Sequence, residues 1–264
     1  MTTPALSTRG LDKSFGSLVV AKDIAISLPR GARYALIGPN GAGKTTLINL
    51  MTGMLRPDAG AILLGDEEIT ALGPEQRVRR GLVRTFQINS LFPHLSPLEA
   101  VTLAVCEREG IARTWWRSLL SYGSQVDEAY DILRSLMLGA VCYRQTRELA
   151  YGQQRLLEIA LALATKPKVL LLDEPAAGVP REESAELFDV ITSLSQDITA
   201  LFIEHDMELV FRLASQIIVM VGGRILLEGT PDEIAADPRV REVYLGKGRG
   251  AGAHAQAPAG APHG

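Results

Sequence analysis

Gly38-Pro-Asn-Gly-Ala-Gly-Lys-Thr45 decides how this chain folds. The stretch fits G-x-x-x-x-G-K-[ST], and each position has a physical reason. Glycines let successive backbone N–H groups turn inward around phosphate oxygens. Upstream, Arg33–Gly38 reads as a short apolar strand running into that turn. Downstream, Lys44–Thr52 has helical character and closes at Gly53. A helix placed there adds its positive N-terminal end to the cradle. In this pattern Lys44 reaches the β- and γ-phosphates of a nucleotide and the Thr45 hydroxyl ligates Mg²⁺. Thr46 can add a hydroxyl or N–H. Gly38, Pro39, Asn40, Gly41, Ala42, Gly43, Lys44, Thr45 and Thr46 are therefore the expected phosphate-binding residues.

Around this unit the opening section is β-rich, with extended segments at Ala5–Phe15, Val20–Leu28 and Ala61–Leu64. From about Ser90 to Arg147 the texture changes. Pro97–Val105 and Ser124–Leu138 have apolar residues at helical spacing, which predicts a mostly helical insertion. Gln153–Ala164 is a helix that stops before Pro167. Strand Val169–Asp173, helix Glu182–Leu194, strand Ala200–Glu204, helix Met207–Ala214 and strand Ile217–Val221 follow in alternation. Arg224–Glu228 can add a strand, and Asp232–Ala236 and Arg239–Tyr244 short helices. Such alternation predicts an α/β fold with a mainly parallel sheet covered by helices. Lys247–Gly264 is rich in Gly, Ala and Pro without periodicity, and reads as a disordered tail.

Bulk properties exclude several classes. The chain has 264 residues, of which 47% are apolar, enough for one sizeable core. A net charge of −3 argues against a nucleic-acid partner. Cys106 and Cys142 form no CxxC pair and read as free thiols in a reducing cytoplasm. No stretch approaches the ~18 apolar residues that span a bilayer. Any membrane role therefore requires another chain.

Val169-Leu-Leu-Leu-Asp173-Glu174-Pro175 is an apolar strand ending in two carboxylates. A buried strand delivers Asp173 to the carboxyl edge of the sheet, beside the phosphate loop. Asp173 then suits Mg²⁺. Glu174 suits orienting or deprotonating an attacking water.

Leu149-Ala-Tyr-Gly-Gln-Gln-Arg155 narrows the reading further. It resembles the signature sequence of ABC (ATP-binding cassette) ATPases, usually written LSGGQ, and lies in the family's order between the helical insertion and the Asp-Glu strand. The resemblance covers about Leu6 to Gly246. It implies a P-loop NTPase cassette over residues 5–246. The parts are a RecA-like core, an N-terminal antiparallel β subdomain and a helical subdomain over about 90–152. It also implies ATP and Mg²⁺ as ligands. Phe15 matches the aromatic residue that stacks on adenine, and Val20 a small apolar residue lining that pocket. Gln87 matches the glutamine that approaches Mg²⁺ and the attacking water, and His205 the histidine that contacts the γ-phosphate.

In this family two cassettes, alike or different, pair head to tail. The signature segment, here Ala150, Tyr151, Gly152 and Gln153, covers the partner's ATP. Two departures stand out. Ala150 replaces the usual serine and Tyr151 the first glycine, so backbone N–H groups around Gly152 are expected to carry the contact and closure to be weaker. The aspartate common after the Asp-Glu strand is absent from Ala176-Ala-Gly-Val-Pro180.

Several segments resemble the ATPases of branched-chain amino-acid importers: Tyr151-Gly-Gln-Gln-Arg155, Pro175-Ala-Ala-Gly178, and Arg84-Thr-Phe-Gln87 with Leu91-Phe-Pro-His-Leu95. The ending Glu228-Gly-Thr-Pro-Asp-Glu-Ile234 with Arg241-Glu-Val-Tyr-Leu-Gly246 adds to these. The insertion with Trp115 and Trp116 also fits. Urea, amide and lipopolysaccharide-export ATPases share some of these features. Non-transport relatives carry long coiled coils or two cassettes, and neither is found here. The resemblance implies separate permease subunits, an indirect solute-binding partner and a peripheral place on the cytoplasmic face of the membrane. Leu91, Phe92 and Leu95 suit docking of a permease helix.

Overall fold

Four runs are almost wholly apolar: β3 (Arg33–Ile37), β7 (Val169–Asp173), β8 (Thr199–Ile203) and β9 (Gln216–Val221). Runs of this kind suit the middle of a parallel sheet covered on both faces. The computed structural model describes residues 3–85, 91–111 and 121–245. There the four runs lie side by side, with β6 (Leu82–Arg84) at one edge and β10 (Arg224–Gly229) at the other. The order is β10-β9-β3-β8-β7-β6. All neighbours are parallel except β10, which folds back antiparallel on β9.

Successive side chains on a strand point to opposite faces. Ala35, Ile37, Leu170, Leu172, Ile217 and Val219 accordingly enter one core. Helices α3 (Pro97–Arg108), α4 (Gly123–Ser135), α5 (Tyr151–Ala164), α6 (Arg181–Ser193) and α7 (Met207–Leu213) contribute much of the rest of it. Tyr34, Leu36, Val169, Leu171, Ile218 and Met220 enter the other core. That face is covered by α1 (Lys44–Thr52) and an antiparallel sheet of order β2-β1-β4-β5. Its strands are β1 (Leu6–Phe15), β2 (Leu18–Leu28), β4 (Ala59–Leu64) and β5 (Glu67–Glu68). Short helices α8 (Pro231–Ala236) and α9 (Pro238–Leu245) complete the described chain.

The sequence expectation of helix to Leu138 is corrected. α4 ends at Ser135 because Met137 turns left-handed (φ 61°) and the Leu138 N–H bonds back to Leu133 O at 2.8 Å. That is the bond pattern that closes a helix. Among the described strands and α-helices, three have no counterpart in the sequence reading: β5, β6 (Leu82–Arg84) and α2 (Pro74–Arg80). α2 is held by Arg77, the buried one of its three arginines. The Arg77 guanidinium is buried and donates to Leu50 O (2.7 Å), Met51 O (2.6 Å), Leu72 O (2.9 Å) and Thr70 O (2.9 Å). It thus clamps the last turn of α1, whose final carbonyls lack partners within the helix.

Leu91 packs against the first core, while Phe92 is exposed. Cys106 and Cys142 are free and buried, and burial pushes both thiols up in pKa. Among the described residues no helix is long and apolar enough to cross a membrane. Gln87, Trp115, Trp116 and the 247–264 tail lie outside the described residues.

Candidate active site

β8 lies between β3 and β7, and its Ile203 pairs with Leu36 on one side and Asp173 on the other. Loop 38–43, turn 174–178 and segment 204–206 therefore leave one edge of the sheet side by side. Ligands of open α/β sheets bind at this carboxyl edge. A cleft of about 630 Å³ lies at the opposite edge, among Arg30, Arg80, Lys168, Asp66, Glu67 and Asp197, and is separate from the phosphate loop.

Loop 38–43 is anchored on both sides. The Gly223 N–H donates to Ala42 O (2.9 Å), and the Lys22 N–H donates to Gly223 O (2.7 Å). Gly43 has φ 101°, and a Cβ there would lie 2.4 Å from Val20 O. Only glycine fits that close approach. α1 starts here without a side-chain cap, so its first amides are open to a bound anion. Lys44 folds over the loop, its Nζ donating to Gly38 O (2.7 Å) and Pro39 O (3.2 Å). Burial lowers the Lys44 pKa, while the nearby Glu174 and Asp173 carboxylates oppose that shift. Thr45 is exposed and Thr46 half-buried. Asn40 and Gly41 are exposed, and Pro39 is half-buried. The Phe15 ring is 50% exposed at the tip of the β1–β2 hairpin. Exposure there leaves the ring accessible to a flat partner. The Lys13 ammonium lies 5.7 Å from its centroid.

Asp173 ends β7 and is paired with Arg84, a residue whose role the sequence reading left out. Arg84 also donates to Asn49 Oδ1 of α1 at 2.7 Å. Glu174 follows in a left-handed conformation (φ 48°), rare for a residue with a side chain. Its N–H donates to Ile203 O (3.1 Å), and its carbonyl accepts from the Ala177 N–H (3.0 Å). Glu204, also left out, is 2% exposed at the end of β8. It accepts from the Ala176 N–H (3.1 Å) and the His205 N–H (3.3 Å). Burial raises its pKa, backbone donors and His205 lower it, and Glu174 raises it further. His205 is mostly exposed, with Nδ1 3.8 Å from Glu204 Oε2. Asp206 caps α7 by accepting from the Glu208 N–H (3.0 Å), which fixes the exit of this segment.

α5 begins at the signature segment. Ala150 occupies the cap position and cannot accept a bond there. The Gln153 side chain reaches back instead, its Oε1 accepting from the Ala150 N–H at 3.2 Å. Gly152 is buried, and the first-turn amides of Tyr151, Gly152 and Gln153 have no acceptor within the helix. Tyr151 is turned toward its own chain, where Oη donates to Ala177 O at 3.1 Å.

Comparison with known proteins gives the family. The ABC transporter family model matches residues 21–177. The model of the branched-chain amino acid ATP-binding cassette transporter matches residues 224–249. The high-affinity branched-chain amino acid transport ATP-binding protein LivG of Escherichia coli K12 is 39% identical, covering 94% of this chain and 100% of LivG. BraF of Pseudomonas aeruginosa, described in the same words, is 37% identical at the same coverage. An ATP-binding cassette of an ABC transporter, solved in its ADP conformation, superimposes with a TM-score of 0.82 at 33% identity. That alignment covers 93% of this chain and 100% of the solved one. The chain therefore belongs to the ABC transporter family, as one of its nucleotide-binding ATPase cassettes. Within the family, the curated relatives just described are branched-chain amino acid transport ATP-binding proteins.

Proposed function

We propose that this chain powers import of amino acids, branched-chain ones above all, by hydrolysing ATP for separate permease subunits. The supporting observation is the meeting of loop 38–43, Asp173-Glu174 and Glu204-His205 at one sheet edge. The relatives' substrate supplies the rest of the reading. One ATPase domain, 5–246 with the helical subdomain at about 90–152, carries it.

ATP lies with adenine against Phe15 and Val20. Its phosphates sit in the loop from Gly38 to Thr46 and accept from its backbone N–H groups, of which Pro39 has none. Lys44 leaves its own loop carbonyls for the β- and γ-phosphate oxygens. The donors near the phosphates, the Thr45 hydroxyl and the Asp173 carboxylate, are hard oxygens that fit Mg²⁺, with Gln87 completing the set. Mg²⁺ held by these groups would supply positive charge to offset that of the phosphates. Glu174 orients and deprotonates the attacking water, and His205 contacts the γ-phosphate. Water adds to phosphorus, the bond to ADP breaks, and ADP and phosphate leave. A second ABC ATPase chain, alike or different, pairs head to tail, and Ala150–Gln153 closes over its ATP. The pair sits peripherally on the cytoplasmic face of the inner membrane, coupled to permease subunits and through them to a solute-binding protein.

The test is steady-state ATPase of Glu174→Gln. Loss of the base is expected to lower kcat by about 10²–10⁴-fold, with ATP binding retained. A variant that hydrolyses at the wild-type rate sinks the assignment.

A further inference from the structure

The signature helix and the turn that carries Glu174 are fastened together within one chain. Tyr151 Oη donates to Ala177 O at 3.1 Å. Arg155, one helical turn on, donates from Nη2 to the same carbonyl (3.2 Å) and to Tyr151 Oη (3.3 Å). Its guanidinium carbon lies 5.4 Å from the centroid of the Tyr151 ring, within range of a cation–π attraction. Its Nη1 is held by Glu158 at 3.0 Å. The ring rests on Gly178, where a Cβ would lie 3.0 Å from Oη and 3.2 Å from Cε1 and Cζ. Gly178 itself is left-handed, φ 78°. Tyr151 and Gly178 thus fit each other: the tyrosine needs the room that glycine leaves.

Fold stability is a poor explanation for this arrangement. The Arg155–Glu158 pair is buried, with side chains 6% and 9% exposed. Arg155 Nε and Glu158 Oε1 are both buried without a hydrogen-bond partner among the described residues. Buried ion pairs with unfilled positions gain little over apolar packing, and such orphan groups call for a specific reason. The far end of the latch offers one. Ala177 O belongs to the turn whose Ala177 N–H holds Glu174 O and whose Ala176 N–H is held by Glu204.

We propose that Tyr151 is a positioning residue that couples the two ATP sites of the paired cassettes. The inference rests on the head-to-tail reading above. The α5 amides meet the partner's nucleotide, and the same helix, through Tyr151 and Arg155, grips the turn that sets Glu174 on its own nucleotide. Closure over one ATP thereby biases the base that acts on the other, which makes hydrolysis cooperative. The phosphate loop takes no part in the latch.

The experiment compares wild type, Tyr151→Phe and Gly178→Ala, each as the full chain. ATPase rate is measured against MgATP concentration, alongside binding of ADP and thermal unfolding. Tyr151→Phe keeps the ring and loses the hydroxyl. It is expected to lower kcat about fivefold or more and to bring the Hill coefficient to near 1. ADP affinity is expected to stay within about twofold, because the phosphate loop is untouched. Gly178→Ala displaces the ring from the other side and is expected to give the same kinetics. A purely structural role would instead lower thermal stability and rate together and leave the Hill coefficient alone. That result, or a cooperative wild type with an indifferent Tyr151→Phe, overturns the coupling while leaving the proposed function standing. A wild type that hydrolyses ATP without cooperativity overturns the paired-site reading and the coupling with it. A wild type without ATPase activity overturns the proposed function as well.

Discussion

Arg77→Ala should weaken the whole domain through the distal end of α1. Arg77 is 1% exposed and holds four carbonyls, two of them in the last turn of that helix. Bonds from a charged donor contribute roughly 1.5–3 kcal/mol each, and less than their sum when they share one group. Against this stands the burial of the guanidinium, which pushes its pKa down to about 10 from 12.5. That shift corresponds to a cost on the order of 3 kcal/mol. Leu50 O keeps a second donor, the Gly53 N–H at 3.2 Å, so it is not orphaned. Met51, Thr70 and Leu72 lose the clamp. The balance is a loss of about 3–4 kcal/mol, or about 10 °C in Tm for a domain of this size. Urea and thermal unfolding followed by far-UV circular dichroism read it directly. The increment in Tm from saturating ADP should persist, because the phosphate loop lies at the other end of α1. A drop in Tm below about 2 °C would show that the carbonyls find other partners and refute the clamp.

Two further outcomes follow from the site. Arg84→Met removes the cation paired with Asp173. A half-buried pair of this kind is worth about 1 kcal/mol, so the Mg²⁺ concentration for half-maximal ATPase should fall about fivefold. An unchanged or higher Mg²⁺ requirement contradicts the competition. Glu204 has a raised pKa in the folded chain, chiefly from burial. The folded state therefore holds its proton to higher pH than the unfolded state. Stability is lost as pH rises from the ordinary carboxylate value of about 4.3 through the raised one. Urea midpoints should show wild type losing stability relative to Glu204→Gln as pH rises above the ordinary carboxylate value, whereas a pH-independent difference rules the effect out.

Much of the frame was legible because glycines and apolar runs punctuate it sharply. Gly43 and Gly53 bracket α1, and the bounds Lys44–Thr52 and Val169–Asp173 read from the sequence are those of α1 and β7. α2 gave no such signal. Its sequence, PEQRVRR, carries one apolar residue, and it is anchored through Arg77, which no hydrophobic pattern marks. β6 has only three residues and β5 two, too short for periodicity. The site divides the same way. Candidate residues inside local motifs, such as Lys44, Asp173 and Glu174, could be proposed from spacing. Arg84 and Glu204 act through contacts remote in sequence, with Asp173 and Ala176. One clue to Glu204 was available: a charge directly following four apolar strand residues, Ala200 to Ile203. The fit of Tyr151 to Gly178 had no local signal at all.

The most direct measurement is uptake of labelled leucine by native cells that carry Lys44→Ala at normal protein level and lack other leucine systems. Loss of uptake relative to wild type is the expected result, and it ties branched-chain amino-acid import to this phosphate loop. Uptake at the wild-type rate would contradict the assigned substrate and move the ATPase to another transported solute.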